Sequence, residues 1–186
     1  MNYANLVTNK TARLPGDLAL PTRKLDAIVL AIDPGTTESA WVLYSARSRE
    51  VCRHAKQSNE DVADMLRQSP LSEIVVLEMV ASYGKPVGQE VFDTCVWLGV
   101  FMECARGRVR EKMFRRDVKR ILCGTDLKVN DAVIRQRLID MFGPGKEQAI
   151  GTKRAPGPLY GIKADEWQAL ALAVAFQERF DRREAK

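Results

Sequence analysis

Apolar positions along the chain fall into unbroken runs and helically spaced stripes, and the two patterns predict different elements. Positions 27–32 are continuously apolar and stop at Asp33; positions 74–77 are continuously apolar and stop at Glu78. Short runs of this kind, rich in β-branched residues, predict buried strands at 27–33 and 73–78. Between them, Pro34-Gly35-Thr36-Thr37 predicts a turn, 39–45 a returning strand and 50–55 a third. Ser58 or Asn59 is a fitting cap for a helix to 68 that gathers Val62, Met65 and Leu66 on one face. After a Gly/Pro loop at 82–88, helical spacing runs from 89 to 108. There Phe92, Val96, Gly99 and Val100 share one face, and Cys95, Leu98 and Met102 another. Positions 118–123 read as a short fifth strand. Asn130 caps a helix carrying Ile134, Leu138, Met141 and Phe142. The stretch 143–161, with three prolines and five glycines, reads as a loop. A final helix at 164–182 buries Trp167, Leu170, Ala171, Val174 and Ala175. The order β-β-β-α-β-α-β-α-α predicts an α/β fold: a central mixed five-stranded sheet flanked by helices.

Length and composition narrow the picture. A chain of 186 residues with 46% hydrophobic content suits one domain with a sizeable core. Residues 1–24, polar and broken by Pro15-Gly16 and Pro21, read as an arm that is disordered or touches DNA; 25–186 is the domain. No stretch approaches the roughly 18 apolar residues of a membrane span. The first residues lack the apolar core of a signal peptide, so an intracellular protein is expected. Cys52, Cys95, Cys104 and Cys123 have no zinc-ligand spacing, and reduced thiols are expected. His54, the only histidine, argues against a His-based triad and reads as structural.

The candidate chemistry lies in the acids. A strand ending on a carboxylate sets that charge at the carboxyl edge of the sheet, where α/β proteins bind ligands. A parallel pairing of the first and fourth strands would put Asp33 beside Glu78. Asp165, ahead of the last apolar helix, supplies a third acid. Such oxygen-only groups suit magnesium and phosphate rather than a soft metal. The net charge is +5, concentrated between Arg106 and Arg120, where eight basic residues face two acids. A local basic excess suits a polyanion, because phosphate contacts release counterions. Lys85, Arg115, Arg116, Lys119, Arg120 and Lys128 are the basic candidates for DNA contact.

Four motifs in order resemble the RuvC-type Holliday junction resolvases, including their bacteriophage variants, within the ribonuclease H-like superfamily. They are Ala31-Ile32-Asp33-Pro34-Gly35-Thr36-Thr37, Val76-Leu77-Glu78-Met79-Val80, the helix with Leu98-Gly99, and Ala164-Asp165-Glu166-Trp167 with its apolar continuation. Val118-Lys119-Arg120 and the stretch from Pro156 to Gly161 fit the same pattern, which spans about 27–178. The resemblance implies a structure-selective endodeoxyribonuclease that resolves four-way junctions and other branched DNA. Its catalytic and metal-binding acids would be Asp33, Glu78 and Asp165, holding two Mg²⁺ or Mn²⁺ ions about 3.5–4 Å apart. It also implies a homodimer formed through the 89–108 helix, a cytoplasmic site in a bacterium or phage-infected host, and no membrane partner. Tyr83 matches the loop aromatic that wedges into the junction; stacking on a base is worth about 1–3 kcal/mol.

One position departs from the pattern. The family's last helix presents two acids three residues apart, and here Gln168 follows Asp165 at that spacing. Glu166 or Asp131 would then serve as substitute ligands. The alternative is a non-cleaving module that binds branched DNA on the same fold. Asp33-Pro34-Gly35-Thr36-Thr37 also resembles the phosphate loop of actin-like ATPases, but those need two such lobes and this chain supplies one. No P-loop is present.

Overall fold

The structure, a computed structural model, describes residues 26–68, 72–82, 84, 86–125 and 129–184; the arm expected at 1–24 lies outside them. Five strands form one sheet: β1 (Ile28–Asp33), β2 (Glu38–Ser45), β3 (Glu50–Ser58), β4 (Ile74–Met79) and β5 (Val109–Phe114). Their spatial order is β3-β2-β1-β4-β5. The hairpins β1–β2 and β2–β3 are antiparallel, whereas β1–β4 and β4–β5 are parallel and joined through helices. The helices are α1 (Asn59–Gln68), α2 (Gln89–Cys104), α3 (Arg115–Cys123), α4 (Asp131–Phe142), the single turn α5 (Lys146–Ala149) and α6 (Glu166–Glu184). The α/β class, the mixed five-stranded sheet and the flanking helices are those expected from the hydrophobic pattern.

Side-chain alternation sends each strand's residues to two cores. Val29, Ala31, Val42, Tyr44, Ile74 and Val76 pack on α6 and its neighbours. Leu30, Ile32, Trp41, Leu43, Val75 and Leu77 pack on α1 and α2 through Val62, Leu66, Leu98 and Phe101. Period two therefore places Asp33 and Glu78, the next members of the first set, on the α6 face. Every residue of α6 from Ala169 to Phe176 is buried. A helix apolar all round must be enclosed, and α6 has the sheet on one side and α3 and α4 on the other.

The fifth strand is not where the pattern placed it. Positions 118–123 belong to α3, whose Val118 and Leu122, four apart, bury one side and whose end is closed by Gly124 in the left-handed conformation. The strand is 109–114, and charge hides it. Arg110 is buried and donates to the Met102 carbonyl at 2.7 Å, while Glu111 accepts from Arg179 at 3.0 Å. α2 ends at Cys104 rather than 108, because the chain turns through Gly107 (φ 84°) into β5. The caps match expectation: Ser58 Oγ accepts from the Asp61 N–H, and Asn130 Oδ1 from the Val133 N–H. The four cysteines are free thiols.

Leu170 is fully buried in α6, between the sheet and the outer helices. We expect Leu170→Ala to cost about 3 kcal/mol and to lower Tm by roughly 6–12 °C, measured by urea and thermal unfolding. A loss below about 1 kcal/mol would contradict this enclosed position for α6.

Candidate active site

Strand register builds the site. Asp33 pairs with Ala40, and Ala40 with Lys56. On the other side Ile32 pairs in parallel with Leu77, so Asp33 and Glu78 end adjacent strands, and Glu78 pairs with Met113. Lys56, Ala40, Asp33, Glu78 and Met113 thus form one row across the sheet. Two residues past Met113, where β5 becomes α3, stands Arg115. Asp165 immediately precedes α6, the helix that covers this face.

The turn after Asp33 is braced by buried polar groups. Asn59, fully buried, donates from its amide to the Gly35 carbonyl at 3.1 Å and accepts from the Ser39 hydroxyl at 2.6 Å. Ser39 Oγ accepts in turn from the Gly35 N–H at 3.2 Å. A Cβ on Gly35 would lie 2.3 Å from the Glu38 carbonyl oxygen, so the turn admits only glycine. These bonds fix the direction in which Asp33 leaves its strand.

The acids are unequally compensated. Arg115 reaches Glu78 Oε2 at 3.3 Å and Asp131 Oδ1 at 2.5 Å, and also donates to the Gln168 side-chain oxygen. Lys56 Nζ lies 2.9 Å from Asp165 Oδ2 and 3.7 Å from Glu38 Oε2. The bond to Asp165 holds the Lys56 ammonium above its ordinary pKa. Asp33 has neither a hydrogen bond nor an ion pair from any described side chain. Burial, and then the charge of Glu78, push its carboxyl up to about 7, against the pull of Arg115. Glu78 is raised by burial too, but Arg115 sits directly on it and opposes the shift.

The other expected residues separate into groups. Asp131 is drawn in through Arg115. Glu166 is turned elsewhere: its Oε2 accepts from the Lys163 N–H at 2.7 Å and lies 2.9 Å from His54 Nδ1, so it caps α6 and ties that helix to β3. Lys119, half-buried on α3, acts electrostatically on Glu78. Arg116 and Arg120 lie on the exposed side of the same helix. Other members of the basic run have structural work: Arg108 donates to the Leu66 carbonyl at 2.6 Å, Arg110 to Met102, and Arg106 pairs with Glu103. Tyr83, Lys85 and Lys128 lie outside the described residues. Sequence reasoning missed Lys56, although counting register through the two hairpins from Asp33 leads to it. It assigned Arg115 to DNA, whereas the structure joins Arg115 to the acids.

The donor chemistry suits a hard cation, since the ligand atoms that Asp33, Glu78, Asp165 and Gln168 offer are oxygens and no described side chain neutralises Asp33 by contact. Arg115 and Lys56, though, already pair with Glu78, Asp131 and Asp165. No three His, Cys, Asp or Glu side chains among the described residues are gathered closely enough to hold an ion.

No protein-family model matches the chain, and no curated protein matches it in sequence. Solved structures do. Thermus thermophilus RuvC aligns with a TM-score of 0.60 at 15% identity, over 84% of this chain and 97% of that one. T. thermophilus RuvC in complex with a Holliday junction substrate aligns with a TM-score of 0.56 at 16% identity, over 83% and 95%. The chain has the ribonuclease H-like fold of RuvC across nearly the whole of that protein.

The raised carboxyl has a consequence for stability. In the folded chain Asp33 keeps its proton up to about 7, whereas an ordinary carboxyl releases it near 3.8. Metal-free stability therefore falls as pH rises through that window. In EDTA at pH 8 we expect Asp33→Asn to be more stable than wild type by about 1–2 kcal/mol, with the gap closing near pH 5. Urea unfolding at the two pH values checks this. An equal gap at both would place the Asp33 charge in water.

Proposed function

We propose that this protein is an endodeoxyribonuclease that cuts branched DNA, four-way junctions foremost, by divalent-metal-dependent hydrolysis of phosphodiester bonds. The observation that carries the reading is the pair of half-buried carboxylates, Asp33 and Glu78, side by side at the carboxyl ends of adjacent parallel strands, with Asp165 at the head of the covering helix. The fold supports it, since RuvC of the same fold has been solved with a Holliday junction substrate. Asp33, Glu78 and Asp165 are the residues to hold Mg²⁺ or Mn²⁺. Such an ion supplies an activated water and stabilises charge on the phosphate. The remaining work belongs to the chain. Asn59, Ser39 and Gly35 aim Asp33, and the Glu166 cap fixes α6 and with it Asp165. Lys119, Arg116 and Arg120, on the helix that begins beside Glu78, would hold backbone phosphates.

A two-fold DNA junction calls for a two-fold enzyme, and α2 offers the surface. Its inner side buries Leu98, Phe101 and Met102, yet Phe92 is 56% and Val96 65% exposed on the outside. Gly99 and Val100 continue that side along a shallow cleft with Arg67, Glu103 and Cys104. Among the described residues, no atom outside its own stretch of helix lies within 4 Å of where a Gly99 Cβ would stand, so no described neighbour explains its small size, and a close partner helix would. We assign this side to a homodimer.

A second reading, a module that binds branched DNA without cutting it, is favoured by one observation: Arg115 and Lys56 already occupy the acids. Labelled four-way junction and linear duplex of the same sequence separate the two. For the nuclease we expect paired nicks in the junction alone, absent in EDTA and reduced more than roughly a hundredfold in Asp33→Asn. Tight junction binding without nicks in Mg²⁺ or Mn²⁺ would establish the binding module. For the dimer we expect Val96→Asp to sediment as a folded monomer; an unchanged dimer would move the interface off α2.

A further inference from the structure

Arg115 touches more of the site than any acid does. Through Glu78, Asp131 and Gln168 a single guanidinium joins β4, α4 and α6. Its side chain is 20% exposed and that of Glu78 15%, so this pair is largely shielded from water. All three partners present oxygens, the atoms a hard cation would take as ligands. Arg115 therefore sits where a metal ion bridging these elements would sit.

Charge points the same way. Asp33, Glu78, Asp131 and Asp165 bring four negative charges, and Arg115 and Lys56 return two. One divalent cation makes the group neutral. A second would leave a double positive excess beside a fixed guanidinium, at a place where Glu78 and Asp131 are already engaged. Gln168 fits this arrangement: its amide oxygen accepts from Arg115 without adding the charge that a second ion would need. Lysine would keep this charge but not the reach, because only the planar fork meets several oxygens at once.

We propose, resting on the metal-dependent reading above, that Arg115 replaces one of two metal ions: the chain binds a single divalent cation against Asp33 and Glu78. The guanidinium stands in the second position, on Glu78, Asp131 and Gln168. Three of its contacts are made within the protein among the described residues, out of five N–H donors, which leaves donors for a phosphate oxygen. Arg115 is thus a phosphate-binding and charge-supplying residue.

The test is a count of ions without DNA. The full chain, stripped with EDTA, is titrated with MnCl₂ by calorimetry, and bound Mn²⁺ is counted by electron paramagnetic resonance. Wild type is expected to take one ion per chain, Arg115→Ala two, and Arg115→Lys, which keeps the charge, one. Gln168→Glu alone should leave the count at one; combined with Arg115→Ala it should tighten the second ion about tenfold or more. Two ions in wild type, or one in Arg115→Ala, would overturn the proposal. The wild-type count decides it even where Arg115→Ala fails to fold. Failure of the two ideas looks different: no Mn²⁺ uptake by wild type sinks the metal-dependent reading as well, whereas junction cleavage with two bound ions sinks this proposal alone.

Discussion

Two carboxylates half-buried side by side repel each other, and much of the structure around Asp33 and Glu78 is organised by that repulsion. Parallel pairing of β1 and β4 makes the contact unavoidable: strands about 4.8 Å apart that both end on an acid hold the charges within a distance where low dielectric magnifies their cost. The protein compensates on one side only. Arg115 lies on Glu78, while Asp33 has no cationic contact among the described residues and holds a proton well above the ordinary carboxyl range. Acids left short of positive charge in this way carry an electrostatic cost that a bound cation would relieve.

The scaffold makes this tolerable by over-determining the backbone around the acids. Asn59, at the start of α1, is buried for the sake of the turn after β1, so a helix on one face of the sheet steadies an acid that points to the other. On the α6 face, Glu166 closes the helix end and joins His54 on β3, which locates Asp165 relative to the meander that carries Lys56. His54, with no catalytic neighbour, is thereby a fastening between the edge strand and the covering helix. Under the proposed function, stability and activity would be opposed here, since an uncharged isostere at Asp33 would remove both the electrostatic cost and the ligand.

Legibility in the sequence followed the physics of each element. β1 and β4 were readable because both are interior strands, unbroken in apolar residues up to the acid that ends them. β5 was not, because an edge strand can carry Arg110, Glu111 and Lys112, and its charges find partners that only tertiary structure supplies. Val118 and Leu122 were read as part of a strand because a short apolar run has no decisive period; their spacing of four was the available clue to α3. The site divided in the same manner. Asp33, Glu78 and Asp165 announce themselves by terminating or preceding apolar segments. Lys56 and Arg115 do not, since their positions depend on register across three strands and on where β5 stops. Once β5 is placed at 109–114, Arg115 is carried from the basic run into the acid row.

The same displacement changes what the basic segment means. Counted along the chain, residues 106–120 form a single positive block suited to a polyanion. In space they separate into ties to carbonyls (Arg108, Arg110), an exposed ion pair with a helix neighbour (Arg106), an exposed position on β5 (Lys112), a counter-charge inside the acid row (Arg115), and an α3 surface with Lys119, Arg116 and Arg120. The last group shares its helix with the acid row's counter-charge, where a phosphate-binding surface would have to be. Because α3 begins at Arg115, that surface and the guanidinium belong to one short rigid element. A backbone held by the outer residues of α3 would thus enter the site in register with Arg115, and positioning and charge supply would be set by one helix rather than by separate loops.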